Sequence, residues 1–211
     1  MDLQKDKERL FDYLRTQIVN KQVIEAMIRV PRECFIPEEL ISHAYEDRPI
    51  SIGYGQTISQ PYIVALMTQA LDITKDDKVL EVGTGRGYQT AILAELAGTV
   101  ISVERIPQLI TEAEKTLKKL GYRNIHIHLS RGKLGWIQDS PYHSIIVTAA
   151  APRIPEALVE QLAAGGKMII PVGNRWEQEL ILLKKGEEKN VVNSLGFCRF
   201  VPLIGDDAWD E

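Results

Sequence analysis

Apolar residues between positions 5 and 29 recur at mixed helical spacing (Leu10, Tyr13, Leu14, Ile18, Val23 and Met27), which predicts helix. Asn20-Lys21 is the expected break between two helical pieces. Val30-Pro31 and Ile36-Pro37 punctuate a connector, and residues 37–45 read as a short helix. Residues 49–61 then carry glycines and hydroxyls with no helical period. That stretch ends in a helix-start signal, with Ser59 as a candidate N-cap, Pro61 in the first turn, and Ile63, Leu66, Met67 and Leu71 following.

From Lys78 onward the pattern alternates. Strands are predicted at 78–82, 99–103, 124–129, 143–148 and 167–171, with helices at 88–97, 107–120 and 154–163. Gly121 stops one helix, and Gly165-Gly166 turns into the fifth strand. Residues 176–185 form a further strand or hairpin arm, and residues 190–201 return beside it. Strands alternating with helices imply an α/β fold with a doubly wound, mostly parallel sheet covered on both faces. The N-terminal helices and C-terminal strands are additions to that sheet. No linker divides the chain, so a single domain is expected over 1–211, with N-terminal helices and a substrate-side segment (1–75), a core (76–175) and C-terminal strands with a tail (176–211).

The chemistry concentrates in Val79-Leu80-Glu81-Val82-Gly83-Thr84-Gly85-Arg86-Gly87-Tyr88, where an apolar strand ends in an acid and passes through three alternating glycines into a helix. Such a strand-loop-helix marks the cofactor end of a doubly wound sheet. A pyrophosphate on the loop amides would be repelled by Glu81, and Tyr88 occupies the third glycine position of the dinucleotide pattern. A ligand with a cationic centre and no phosphate fits better, and S-adenosylmethionine, with an ammonium and a sulfonium, is such a ligand. Glu104 ends the next strand, 21 residues after Gly83, where an acid can accept both hydrogen bonds of a ribose diol. A solvated carboxylate accounts for Glu81 as well, an exposed turn acid for Glu104, and a plain helix cap for Ser59.

Composition narrows the partners. A net charge of −4 and a pI near 5.7 argue against a general nucleic-acid binder. Cys34 and Cys198 are too few for a disulfide framework or a cysteine metal site, and read as reduced thiols, one or both buried. His43, His126 and His128 show no metal-ligand grouping with acids, so no metal is expected. The charged N-terminus precedes no secretory apolar core, and no apolar run is long enough to span a bilayer, so a soluble cytoplasmic chain, a monomer without membrane contact, is expected.

Several segments resemble one family in order along the chain. Gly55-Gln56-Thr57-Ile58-Ser59-Gln60-Pro61, Val79 to Gln89, Ile145-Ile146-Val147-Thr148-Ala149-Ala150-Ala151-Pro152, Gly165-Gly166, Pro171-Val172-Gly173 and Arg199-Phe200-Val201-Pro202-Leu203 together resemble protein-L-isoaspartate O-methyltransferases. The resemblance runs from about residue 5 to about 205. It implies a class I methyltransferase, Rossmann-like fold that uses S-adenosylmethionine and releases S-adenosylhomocysteine. The implied reaction methylates the α-carboxylate of L-isoaspartyl residues in damaged proteins and peptides, and the ester then closes to a succinimide that hydrolyses partly to aspartate. By the same resemblance Ser59 is the active-site residue, with Thr57, Ile58 and Val172 on the substrate side. The cofactor side comprises Ile52, Gly53, Gly55, Glu81, Gly83, Thr84, Gly85, Gln89, Glu104, Arg105, Arg131 and Gly132. Ile204 and Trp209 in the tail fall near the cofactor.

The chain departs from the family at Ser130-Arg131-Gly132, where Gly-Asp-Gly is usual. The family aspartate accepts from the adenine amino group. Arginine has only donors, so stacking or a backbone carbonyl would have to substitute. A variant activity, with an altered ligand or with weak or no catalysis, is the alternative this departure raises. Arg86 adds a second cation and, with Arg131, a candidate anion site. His143, where an aspartate is usual, reads as a structural residue at the start of its strand.

Overall fold

The computed structural model describes residues 2–210. Helix α1 (Leu3–Gln17) begins where the Asp2 side chain accepts from the Lys5 amide, and it buries Leu10, Phe11 and Leu14. Asn20 is the predicted break, and the reason is a cap: its side chain accepts from the Gln22 and Val23 amides and starts α2 (Lys21–Arg29). Residues 37–45, read as a short helix, are a 3-10 turn over Glu38–His43. The aperiodic stretch after it is a hairpin, β1 (Ile50–Gly53) antiparallel to β2 (Gln56–Ile58). Its turn has positive φ at Gly53, Tyr54 and Gly55 in succession, a backbone that two glycines make accessible. Helix α3 (Pro61–Leu71) follows with no side-chain cap from Gln60, its N-cap residue. Asp47 instead accepts from the Tyr62 amide at 2.8 Å. Ser59 therefore does not cap α3, since it lies one residue too early.

The remaining elements are β3 (Lys78–Val82), α4 (Tyr88–Leu96), β4 (Thr99–Glu104), α5 (Pro107–Lys119), β5 (Ile125–Leu129), β6 (Tyr142–Val147), α6 (Glu156–Glu160), β7 (Leu162–Gly173), β8 (Gln178–Lys184) and β9 (Val191–Cys198). They build one seven-stranded sheet in the order β5-β4-β3-β6-β7-β8-β9. The first five positions of that order are parallel, and β8 and β9 add antiparallel. Strand β7 starts five residues earlier than the pattern predicts, and α6 is correspondingly short. Gly165 at positive φ lets the chain run extended across a register shift opposite Tyr142–Ser144, and the Lys185 ammonium collects the Val159 and Leu162 carbonyls at 2.9 and 2.7 Å.

Alternate residues of each strand feed two apolar clusters. Val79, Val100, Ile146 and Ile169 pack with α1 to α5, whereas Leu80, Ile101, Ile145 and Met168 pack with Leu158 of α6 and Leu203 of the tail. The N-terminal helices thus share a continuous core with the sheet. The strand order reverses at β3, with β4 on one side and β6 on the other, so the crevice above its C-terminal end is where such a sheet binds ligands. Cys34 is exposed and Cys198 half-buried, so neither thiol is a core residue. No helix among the described residues is long and apolar enough to cross a membrane.

Candidate active site

Two adjoining depressions open at the β3 crevice and share Ile52, Thr57, Gly83, Gly85 and Thr148 as a common wall. The outer one encloses about 660 Å³, part of it open to solvent, between the hairpin, Glu104-Arg105, Lys133-Leu134-Gly135 and the tail at Leu203-Ile204. The inner one, about 490 Å³, lies between Ile58-Ser59 and Met67 on one side and Thr84, Tyr88 and Gln89 on the other.

The glycine loop is shaped by contact as well as conformation. Gly83 has φ +103, and a Cβ there would fall 2.2 Å from Thr148 Oγ1. That hydroxyl donates to the carbonyls of Val82 and Gly83 at 3.0 and 2.8 Å, tying the end of β6 to the loop. Glu104, at the end of β4, is 7% exposed, and its carboxylate accepts from the amides of Gly85 (2.9 Å), Arg105 (2.8 Å) and Ile106 (3.0 Å). Three amides fix this carboxylate at the outer wall, a placement that suits a diol and repels a phosphate.

Glu81 sits elsewhere. It shares a sheet face with Val79, is wholly buried, and takes hydrogen bonds on one oxygen from Thr90 of α4 (2.5 Å) and Ser102 of β4 (2.6 Å). Ser102 in turn meets Thr84 at 2.5 Å. The Glu81 Oε1 atom has no hydrogen-bond partner among the described residues. Burial, opposed by the Ser102 and Thr90 hydrogen bonds and reinforced by Glu104, pushes the carboxyl up to about 8, so the proton stays on at neutral pH. Glu81 therefore lies beneath the loop and supports Thr84 through Ser102, and the expected meeting of its carboxylate with a ligand cation is corrected to this buried place.

Ile52, Thr57, Ile58, Ser59, Gly83, Thr84, Gly85, Gln89, Glu104 and Arg105 are brought to the two depressions. Gly53 and Gly55 are not: they turn the hairpin, and a Cβ on either meets nothing within 4 Å. Arg131 faces an adjoining groove lined by Leu129, Trp136 and Ile137, and Ser130 and Lys133 to Gly135 form the wall shared between that groove and the outer depression. The Gly132 carbonyl is taken by the Asp206 amide at 2.8 Å. Val172 packs in the core cluster beside Leu203 and bridges Ala151, behind the wall. Ile204 lines the outer depression, whereas Trp209 folds back, its amide donating to the Leu203 carbonyl. Arg86 lines the inner depression and pairs with Glu112 of α5 at 2.6 Å, while Arg131 lines the groove beyond the outer one, so the two are not brought together as the expected anion site. His143 accepts from the Lys78 amide at 3.0 Å, at the far end of the sheet. Thr148 and Lys133 to Gly135 are wall residues that the sequence reading did not assign to the site, although Thr148 lies in one of the segments that carry the family resemblance.

A mostly parallel sheet with a glycine turn after its central strand and an acid ending the next strand is the architecture of a class I methyltransferase. The profile of protein-L-isoaspartate(D-aspartate) O-methyltransferases matches residues 4–208. The chain belongs to that family. It is 47% identical over 215 residues to protein-L-isoaspartate O-methyltransferase 1 of Syntrophobacter fumaroxidans, covering 100% of this chain and 99% of the relative. It is 50% identical over 206 residues to protein-L-isoaspartate O-methyltransferase of Dictyoglomus thermophilum, covering 97% and 94%. Among solved structures, a protein-L-isoaspartate O-methyltransferase superposes with a TM-score of 0.86 at 30% identity, over 96% of this chain and 67% of that one. A Plasmodium falciparum structure described as a protein-L-isoaspartate O-methyltransferase in complex with S-adenosyl-L-homocysteine gives 0.79 at 26% identity, over 92% and 96%.

Proposed function

We propose that this chain transfers a methyl group from S-adenosylmethionine to the α-carboxylate of L-isoaspartyl residues in proteins and peptides, which starts their repair through a succinimide. The observation that carries the reading is the two-part cleft, with Glu104 on the outer wall, Ser59 on the inner wall and the Gly83–Gly85 loop between them. The donor fits these residues: an acid held by three amides for the ribose diol, and the amides of the glycine loop beside it. When bound, the donor supplies an electrophilic methyl group on a sulfonium.

The rest is the work of the chain. Glu104 accepts from the ribose hydroxyls, and the 133–135 backbone closes the outer depression. The substrate carboxylate is already ionised at pH 7, so no general base is required. In keeping with this, the inner wall contains no histidine and no carboxylate among the described residues. Ser59 has a hydroxyl without a hydrogen-bond partner among the described residues, and it donates to the incoming carboxylate and orients it. Catalysis is then mostly alignment of the reacting atoms, with the apolar Ile58, Val64 and Met67 excluding water.

Methyl transfer from labelled S-adenosylmethionine to an L-isoaspartyl peptide, beside its normal-aspartate twin, tests the reading. Label on the isoaspartyl peptide alone is the expected result. Label on neither, at saturating donor, would favour the altered or non-catalytic alternative raised by Ser130-Arg131.

A further inference from the structure

Arg32 is an unusual residue for an interior. It is 0% exposed, has no carboxylate in contact, and leaves Nη1 without a hydrogen-bond partner among the described residues. Desolvation pulls its pKa down from the ordinary arginine value, against the opposing influence of Tyr88, Tyr45 and Asp47. A buried guanidinium without a partner acid is costly, and the contacts it does make deserve an account. Its Nη2 donates to the Ser59 carbonyl at 2.8 Å and its Nε to the Ala44 carbonyl at 2.9 Å. Its plane lies over the Tyr88 ring at 4.8 Å, and that ring is wedged edge-on against Phe35.

Ser59 and Tyr88 belong to opposite walls of the inner depression. Arg32 touches both from behind, so its rigid fork sets the distance between the hairpin side and the glycine-loop side. A second tether grips the same segment from the same connector. Asp47 accepts from the Tyr62 amide at 2.8 Å and from the Gln60 side chain at 2.9 Å. Residues 59 to 62 are thus held at Ser59 by a cation and at Gln60 and Tyr62 by an anion.

We propose that Arg32 and Asp47 are positioning residues that together fix Ser59 against the methyl-transfer centre, so that they govern turnover of the carboxylate substrate rather than binding of the cofactor. The proposal rests on the methyltransferase reading above. It predicts a split that a merely structural role would not produce. Arg32→Lys keeps the charge but cannot reach two carbonyls and a ring face at once. Asp47→Asn keeps one acceptor of two, and Asp47→Ala keeps neither.

Kinetics on an L-isoaspartyl peptide, titration with S-adenosylhomocysteine and thermal melting are measured on the full chain for each variant. The expected result is a fall in kcat of at least tenfold for Arg32→Lys and Asp47→Ala, with Asp47→Asn in between. The S-adenosylhomocysteine dissociation constant stays within about threefold of wild type. The Arg32→Lys/Asp47→Ala double variant falls no further than the worse single change, because either loss frees the same segment. Unchanged kcat in variants that remain folded overturns the proposal, as does loss of kcat and of S-adenosylhomocysteine affinity in parallel with the melting temperature. If the wild type itself does not methylate the peptide, the reading of function has failed, and the clamp is then judged by amide hydrogen exchange. Faster exchange confined to residues 59–64 in Asp47→Ala supports the clamp, and exchange unchanged there rejects it.

Discussion

Two acids, one on the cleft wall and one beneath it, illustrate how environment divides similar chemistry. Glu104 and Glu81 lie at or next to the ends of adjacent parallel strands, yet the first accepts from three backbone amides at the outer wall while burial keeps the second protonated. A carboxyl near 8 in the folded state and 4.5 in the unfolded state binds its proton more tightly when native. Its contribution to stability is therefore full below about pH 4.5 and is lost as pH rises toward 8. The unfolding free energy of the ligand-free protein, from denaturant titrations between pH 5 and 9, should fall by roughly a few kcal/mol across this range, and Glu81→Gln should flatten that slope. Equal slopes in the two proteins would show that Glu81 does not carry the titration. At Ser59, replacement by alanine is expected to lower kcat by roughly tenfold to a hundredfold, in line with the loss of one orienting hydrogen-bond donor. S-adenosylhomocysteine affinity, read by titration calorimetry, should barely change. Wild-type turnover in Ser59→Ala would remove the serine from the mechanism. The acids and the glycine loop were legible in the sequence because strand ends and loops announce themselves locally, whereas Ser59 was marked only by the family resemblance. The protonation of Glu81 was not, because the burial that imposes it comes from elements that pack over it in the fold.

At the scale of elements, the glycine loop is built against β6, whereas the hairpin buries Ile50, Ile52 and Ile58 and only its tip stands free. Gly83→Ala would drive a methyl into the Thr148 hydroxyl, which lies 2.2 Å from the added carbon, and would strain a residue at φ +103. A loss of roughly 2–3 kcal/mol and at least tenfold weaker S-adenosylhomocysteine binding are expected. Gly55→Ala, at φ +70 with open space around it, should cost only about 1–2 kcal/mol, and comparing the two melting curves separates contact from backbone strain. The 130–135 loop yields a sharper test of sequence against structure. The family resemblance implies that restoring an acid by Arg131→Asp tightens cofactor binding. With that side chain in the neighbouring groove, the dissociation constant of S-adenosylhomocysteine should instead change less than about threefold. The hairpin was read only as an aperiodic stretch, since strands of four and three residues are too short to show alternation. The start of β7 was misplaced because a glycine pair ordinarily signals a turn, whereas here it lies inside an extended strand against Lys185.

Over the whole molecule, the antiparallel strands leave one edge unprotected. Strand β9 carries no charged residue, and Phe197 is 73% exposed on it. Uncharged apolar edges pair with other chains, so Phe197→Lys should raise the concentration at which light scattering reports aggregation, without altering methyl transfer. No shift in that threshold would mean the edge is already blunted by its own twist. The sequence by itself determined the alternation of strand and helix, the glycine turn, the acids at two strand ends and the family, because each is written in neighbouring residues whose spacing follows backbone geometry. Only the tertiary structure decided what lines the cleft. Sheet order places Thr148 against Gly83, the 130–135 loop turns Arg131 outward, and α4 buries Glu81. Arg32 reaches Ser59 across 27 residues of chain, a contact that depends on how the N-terminal helices pack against the sheet and has no local signature.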